Sequence, residues 1–317
     1  MKKKIDNKDI DLVYLWVNSN DPKWLAKKRQ LTGDETLDSG KDCIGRYVDN
    51  DELRHSLRSV EKYAPWIRKI FIVTDDQVPE WLNIKNPKIQ IVDHSEILPQ
   101  EALPTFNSVI IEHRLHLIPD LSEYFLYSND DMFLNRPVGP EDFFSKEGKP
   151  IVRMSRRLFR KFWIKHREKS HKHPLDNYNL TIHRAASLVE SKLGRYIGHK
   201  PHHNIDAYRK SDYAATYKLF EEEIKSTFKN HLRDDSDIQR SVYSFTPIIQ
   251  GRSKLKFVGE KTSFRCHIEK PHYFTRLEKK NPMFFCLNDS QDARDEDRRR
   301  VADFLERKFP DKSQFEK

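Results

Sequence analysis

Four short apolar runs, each followed by asparagine or aspartate, occupy the first 131 residues and restrict the folds open to this chain. Leu12–Val17 (LVYLWV) is almost wholly apolar, as expected of a strand covered on both faces. Lys69–Thr74 (KIFIVT), Ile89–Val92 (IQIV) and Tyr124–Tyr127 (YFLY) are further β-branched or aromatic runs. Helical patterns separate them. Leu53, Leu57, Val60 and Ala64 recur at helical spacing after Asn50-Asp51, which can cap the helix, and Pro65 ends it. Residues 106–118 (FNSVIIEHRLHLI) predict another helix, stopped by Pro119. Strands alternating with helices imply a parallel sheet with right-handed crossovers.

The tails of these runs matter most. They are Asn18-Ser19-Asn20-Asp21, Asp75-Asp76, Asp93-His94 and Ser128-Asn129-Asp130-Asp131. In an open parallel sheet all four share one rim, where the ligand crevice of such folds lies. Asn and Asp also favour turns for their own sake. Yet 58 Lys+Arg against 49 Asp+Glu leave a net charge of +9, and such a chain invites an anionic partner. Carboxylates gathered on its rim therefore suggest a divalent cation bridging to an anionic substrate. None of the 9 glycines is spaced as GxG, and no GxxxxGK[ST] occurs, so phosphate must be held by side chains or metal rather than by a glycine cradle.

Cys43, Cys266 and Cys286 are odd in number and far apart, which argues against a disulfide framework. No apolar run follows the basic MKKKIDNKDID start, and nowhere do 18 apolar residues stand together. The expected location is cytoplasmic. Arg153–Lys172 carries nine Lys/Arg and a single acid, with Phe162 and Trp163 interleaved. It predicts an amphipathic basic helix, either merely solvated or in peripheral contact with anionic membrane. Val301, Phe304, Leu305 and Phe309 form a stripe within Asp297–Phe309 that predicts a packed terminal helix or a second docking surface. No linker or repeat divides the chain. One domain over 1–317 is expected, with a sheet core at about 10–140 plus 199–290. A helical insertion at about 153–198 and a C-terminal helix at about 295–310 complete it.

Among residues able to do chemistry, Asn129-Asp130-Asp131 is the best-placed Mg²⁺ candidate, since a strand end fixes its oxygens. His199 follows Gly198 in GHKPHHNID, with Pro201 stiffening the turn, and is the best-placed general base. No HExxH occurs and no cysteine is near the histidine groups in sequence, so a zinc site is not expected. Arg233 in HLRDDSDI can clamp phosphate with its fork or form a helical ion pair with Asp237. Asn288-Asp289 is one more polar turn after an apolar run.

Four segments in order resemble the conserved regions of the Stealth family of sugar phosphotransferases. They are IDLVYLWVNSNDP (Ile10–Pro22), the long stretch from DNDELRHSLRSVEKYAPWIRKIFIVTDDQVPEWL through YSNDDMFLNRPV, GHKPHHNIDAYRK with LRDDSDI, and CLND. One departure is the Asn18–Asp21 loop, where the family pattern has a glycine after Asp or Asn. The resemblance implies an α/β fold with a mostly parallel sheet, Rossmann-like or glycosyltransferase-A-like, binding a nucleotide-sugar and carrying an inserted helical part. It implies transfer of a sugar 1-phosphate from a UDP-sugar to a glycan hydroxyl, with UMP leaving. The acceptor is expected on a polyprenyl diphosphate. His199, Arg233 and Asp131 would be catalytic, and Asp130, Asp131 and Asp289 would hold Mg²⁺ or Mn²⁺. Asn18, Asp21, Arg54, Asn107, Asn129, His202 and Asn288 would bind substrate. A metal-dependent Leloir glycosyltransferase would use the same rim and release UDP instead. A nucleic-acid binder would explain the charge but not the acidic tails, and no RNP1 motif is present.

Overall fold

A computed structural model describes residues 8–33, 48, 50–157, 160–168, 177–290 and 292–317. Its strands are β1 (Ile10–Leu15), β2 (Ile70–Thr74), β3 (Ile89–Asp93), β4 (Tyr124–Asn129), β5 (Met132–Leu134) and β6 (Ile151–Ser155). They continue with β7 (Lys200–Pro201), β8 (Asp206–Arg209), β9 (Lys254–Phe257), β10 (Ser263–His267) and β11 (Phe284–Asn288). The central sheet runs β3-β2-β1-β4-β8. Its first four members are parallel, and β8 lies antiparallel on β4. The apolar runs explain this directly. Val13, Phe71, Phe125 and Tyr127 enter the core on one face, while Leu12, Tyr14, Ile72 and Leu126 enter a second core on the other. A sheet buried on both sides needs helices on both, and so needs crossovers.

All four tails emerge at one edge, as the alternation predicts. The strand order also reverses between β1 and β4, whose ends align with Leu15 beside Asn129. The topological switch point therefore lies at Trp16–Asn18 and Asp130–Asp131.

The helix Glu52–Tyr63 buries Leu53, Leu57 and Val60 against the sheet as the spacing predicts. Its cap differs. Asp51 sits at φ 64 and makes no side-chain cap bond, and the Glu52 carboxylate accepts from the Asn50 amide instead. The helix expected over 106–118 is broken into Ser108–Glu112 and a 3-10 turn at Leu115–Leu117. Val109, Ile110, Ile111, His113, Leu115 and His116 are all buried, so tertiary contact on every side replaces one amphipathic face.

A second sheet, β10-β11-β5, begins where the Asp130-Asp131 turn leads β4 into β5. The helix Asp295–Lys308 lays Val301, Phe304 and Leu305 on it beside Phe133 and Phe285. This corrects the second docking surface: Phe304 and Leu305 are core, and cannot insert into lipid. The basic run is corrected too. Arg153 belongs to β6 of the third sheet, β7-β6-β9, and is 1% exposed with its guanidinium over Phe143 and Phe284. The basic helix spans Arg160–Glu168, and residues 169–176 lie outside the described ones. In the helix Asn177–Leu193, Ile182, Ala185 and Val189 share a core with Val13 and Phe125. The helix Asn177–Leu193 is thus packed on the sheet.

Arg54, expected to bind substrate, pairs with Asp51 (3.2 Å) and Glu316 (2.5 Å). Arg58 donates twice to the same Glu316 carboxylate, at 2.9 and 3.0 Å, and both side chains are buried. Burial raises the Glu316 carboxyl, but hydrogen bonds from Arg58, the Ser313 amide and Arg54 outweigh it and hold it at about 2, against an ordinary 4.5. A depressed carboxyl stabilises the fold above its unfolded value, so this contribution is present at neutral pH and lost as pH falls from about 4.5 towards 2. Glu316→Gln leaves Arg58 only the exposed Glu306 carboxylate, 3.2 Å away, as counter-charge and is expected to cost roughly 3 kcal/mol in urea unfolding at pH 7. The cost should shrink on acidification, and a pH-independent cost would contradict the pairing.

Candidate active site

Three of the four acidic tails are spent on the fold. Asp21 caps the helix Pro22–Thr32, accepting from the Lys23 amide (2.7 Å) and the Trp24 amide (3.3 Å). Asp75 pairs with Lys27 at 2.8 Å, and Asp93 caps the following helix while accepting from the Asp76 amide at 2.7 Å. Asn18 exchanges hydrogen bonds with the Gln77 side chain at 2.8 and 2.9 Å. Its carbonyl oxygen Oδ1 also accepts from the Asn20 amide, closing the loop that lacks the family's glycine. Helix capping, turn closure and the Lys27 pair thus occupy these residues, although Asp75 Oδ2 has no hydrogen bond among the described residues. Asn18 and Asp21, expected to bind substrate, shape the rim and carry Trp24 to it.

Over the ends of β1 and β4 lies a cavity walled by Trp16, Trp24 and Phe106, with Asn129, Asp130 and Arg233 on its floor side. Trp24 meets Phe106 edge-on, with ring centroids 5.0 Å apart. A second cavity of about 440 Å³ adjoins it and shares Val48, Asn129, Asp130 and Arg233. Its other walls carry Glu52, Asp131, His203, Arg265, Asn288 and Asp289. The structure therefore brings together six expected residues: Asn129, Asp130, Asp131, Arg233, Asn288 and Asp289.

Arg233 does not stand on a helix, and Asp237 is not committed to it. Asp237 accepts from Asn107 Nδ2 (2.8 Å), Asn230 Nδ2 (2.8 Å) and the Asp234 amide (2.9 Å). Asn107 also donates to the Asn230 and Leu232 carbonyls, and it is fully buried. Asn107 is thus the staple of the loop that presents Arg233. The Arg233 guanidinium donates to Ser108 Oγ at 2.8 Å.

Asp131 is half-buried, and its Oδ1 is shut off from solvent without a hydrogen-bond partner among the described residues. Oδ2 accepts from the Cys286 thiol at 3.1 Å. Burial pushes the Asp131 carboxyl up to about 6, against the opposing pull of that bond and of Arg265. His203 joins the cluster, with ligand atoms of Asp131, His203 and Cys286 all within 4.8 Å of one another. Sequence reasoning found no cysteine near the histidines; β11 supplies one. Burial, and next Arg265 and Arg240, push His203 down to about 3, so its imidazole is neutral. Burial and Asp131 raise the Cys286 thiol well above its ordinary range, so it keeps its proton. A bound metal ion would displace that proton, so Asp131, His203 and Cys286 together could ligate one. The thiol orients Asp131 through Oδ2 and leaves Oδ1 without a hydrogen bond among the described residues.

The other expected residues are held by partners. Asn288 Oδ1 accepts from Arg265 Nε (3.0 Å) and Nη2 (2.5 Å). Asp289 is gripped by both nitrogens of the Arg298 fork at 2.9 and 3.2 Å, so it lines the cavity as one half of an ion pair. His202 is buried with Nε2 3.0 Å from Asp206, whose other oxygen accepts from Arg240 at 2.6 Å. Arg240 and His202 overcome burial and hold Asp206 down at about 2. This network lies under the segment that presents His203. His199 lies outside the linings of both cavities, its Nδ1 3.2 Å from the Arg157 carbonyl and its ring edge-on to Phe257.

Fold and site together define a parallel α/β protein with a charged, aromatic-walled cleft at its switch point. Three family descriptions match the chain: Stealth conserved region 1 over residues 8–35, conserved region 2 over 46–152 and conserved region 4 over 275–317. An exopolysaccharide phosphotransferase of Streptomyces coelicolor is 37% identical over 97% of this chain and 52% of its own, so the chain spans about half of that relative. The capsular polysaccharide phosphotransferases LcbA of Aeromonas hydrophila and fcs1 of Haemophilus influenzae are each 34% identical. These alignments cover 95% and 90% of this chain, and 84% and 79% of theirs. The chain belongs to the Stealth family of sugar phosphotransferases. Among solved structures, the galactosyltransferase LgtC in complex with donor and acceptor sugar analogs aligns over 93% of this chain and 95% of that one. Its identity is 12% and its TM-score 0.45. The bifunctional glycosyltransferase WbbM aligns over 98% and 51%, at 10% identity and a TM-score of 0.49.

Proposed function

We propose that the cleft transfers a sugar 1-phosphate from a UDP-sugar to a glycan hydroxyl in capsular or exopolysaccharide synthesis, releasing UMP. The observation that carries this reading is the junction of the two cavities at Asn129, Asp130 and Arg233. The aromatic cavity suits a base and ribose and the charged one a diphosphate and sugar, so the bond to be cut, between the two phosphorus atoms, falls in the charged cavity next to the junction. The relatives' phosphotransferase names support the same chemistry. The product's mass tests it. An acceptor glycan incubated with a UDP-sugar should gain a sugar and a phosphate together; a gain of the sugar alone would identify a Leloir transferase.

Phosphoryl transfer demands positioning and charge more than a nucleophile. Arg233 and Arg265 bring fixed positive charge to the cavity that would hold the diphosphate. A divalent cation, Mg²⁺ or Mn²⁺, would be held by Asp131 Oδ1 with Asp130 and His203 near, and would neutralise the diphosphate. Asp289 enters that shell only if Arg298 releases it.

Three imidazoles of Gly198–Asp206 compete for the proton of the acceptor hydroxyl. His203 is held neutral beside arginine, and His202 is committed to Asp206. His199, half-exposed like His203, stands beside Arg157 and Phe257, outside the linings of both cavities. His199→Ala is expected to lower kcat by roughly 10²–10⁴-fold with donor binding retained. A near-normal kcat would pass the role to His203.

No helix among the described residues is long and apolar enough to cross a membrane. A polyprenyl diphosphate acceptor at the cytoplasmic leaflet would be met through Arg160–Glu168, where Phe162 and Trp163 are exposed and Arg167 lies over the Trp163 ring. Co-sedimentation with anionic vesicles should be salt-sensitive and reduced in Phe162→Ser/Trp163→Ser. Protein left in the supernatant at low salt would rule the contact out.

A further inference from the structure

We infer that the cavity beside the reaction cavity is an anion subsite that grips a phosphate ester already present on the acceptor glycan. The inference rests on the transfer reading above and deepens it by naming the acceptor's chemical class. This annex, of about 360 Å³, shares Tyr178, His203 and Arg265 with the reaction cavity, so a ligand in one continues into the other. It lies on the side away from the aromatic cavity, with which it has no lining residue in common. A donor filling the first two spaces leaves the annex to the acceptor.

Its lining charges are unbalanced. Arg157, Lys200 and Arg265 face one carboxylate, Glu260, which is itself claimed by Arg276 at 2.7 Å and Lys280 at 3.6 Å. An uncharged glycan is recognised by aromatic platforms and hydroxyl contacts, and needs no excess of cations. Tyr178 and Tyr273 supply such platforms here. The added positive charge is what a phosphate ester requires, and the arginine fork fits its oxygens. Arg157 is exposed and Lys200 half-buried, so neither is needed as packing. The geometry makes sense for a chain-lengthening transferase, whose acceptor presents a free hydroxyl in the reaction cavity and its previous phosphodiester one residue back.

Three acceptors with the same terminal sugar separate the sources of phosphate. One is a neutral oligosaccharide, one carries an internal phosphodiester, and one carries a polyprenyl diphosphate at its reducing end. Wild type should show a KM about 10- to 100-fold lower for a phosphate-bearing acceptor than for the neutral one. Whichever phosphate-bearing acceptor gains identifies the phosphate that sits there. Arg157→Gln/Lys200→Gln should abolish that advantage while leaving KM for the UDP-sugar and for the neutral acceptor unchanged. Equal KM for all three acceptors, or an advantage that survives the double substitution, overturns the subsite. Calorimetric binding of the phosphodiester oligosaccharide without donor keeps the two readings apart. If no acceptor turns over but this binding is lost in the double variant, the transfer reading fails and the subsite stands. Equal binding by both proteins removes the subsite.

Discussion

Asp131→Asn is expected to lower turnover by roughly 10³-fold or more while leaving the thermal midpoint within a few degrees. The substitution keeps shape and removes charge from the one cleft carboxylate whose Oδ1 is buried without a hydrogen-bond partner among the described residues. Folding gains nothing from that charge. With the carboxyl raised to about 6 from an ordinary 3.8, the native state opposes ionisation at neutral pH. A raised carboxyl therefore stabilises only at acid pH, and at pH 7 the amide relieves a cost. Excess chelator should stop the wild type as fully as the substitution does. Activity within tenfold of wild type, or full activity in chelator, would remove Asp131 from the chemistry. A midpoint lowered by more than about ten degrees would make its role structural.

Arg233→Ala should be nearly as severe, with kcat down by roughly 10³-fold, because an arginine on the transferred phosphoryl group acts mainly in the transition state. The loop that carries it is held independently of the guanidinium, by Asn107 and by Asp237. Loss of the side chain should therefore leave the loop in place and UDP-sugar binding nearly intact. Arg233→Lys should recover only part of the rate, since a point charge cannot span two oxygens. If Lys restores full activity, the group is needed only for net charge. If Ala raises KM and spares kcat, Arg233 binds the ground state instead.

Strand identity, the common rim and the β4 tail were legible because each rests on local pattern: apolar runs long enough to be buried on two faces, ended by turn formers. What each polar residue is spent on was not. Asp21, Asp75 and Asp93 carry the same residue type in the same position as Asp130 and Asp131, and only tertiary partners such as Lys27 separate them. The Arg54–Glu316 pair joins positions 262 apart, and Cys286 reaches Asp131 across 155 residues because β11 pairs with β5. No spacing rule reaches that far. The stripe of Val301, Phe304 and Leu305 was readable as apolar, but whether it faced protein or lipid depended on a sheet assembled from three distant strands. His203 stood in view beside His199 and His202; its significance came from the carboxylate and thiol that other strands bring to it.

The central claim is that the bond broken lies between the two phosphorus atoms of the donor, on the uridine side of the β-phosphate. A UDP-sugar labelled at its β-phosphorus tests this directly. The account predicts that the label appears in the acceptor glycan as a phosphodiester, with one UMP formed for each label transferred. Label recovered in UDP, with an unlabelled glycosidic product, would contradict it.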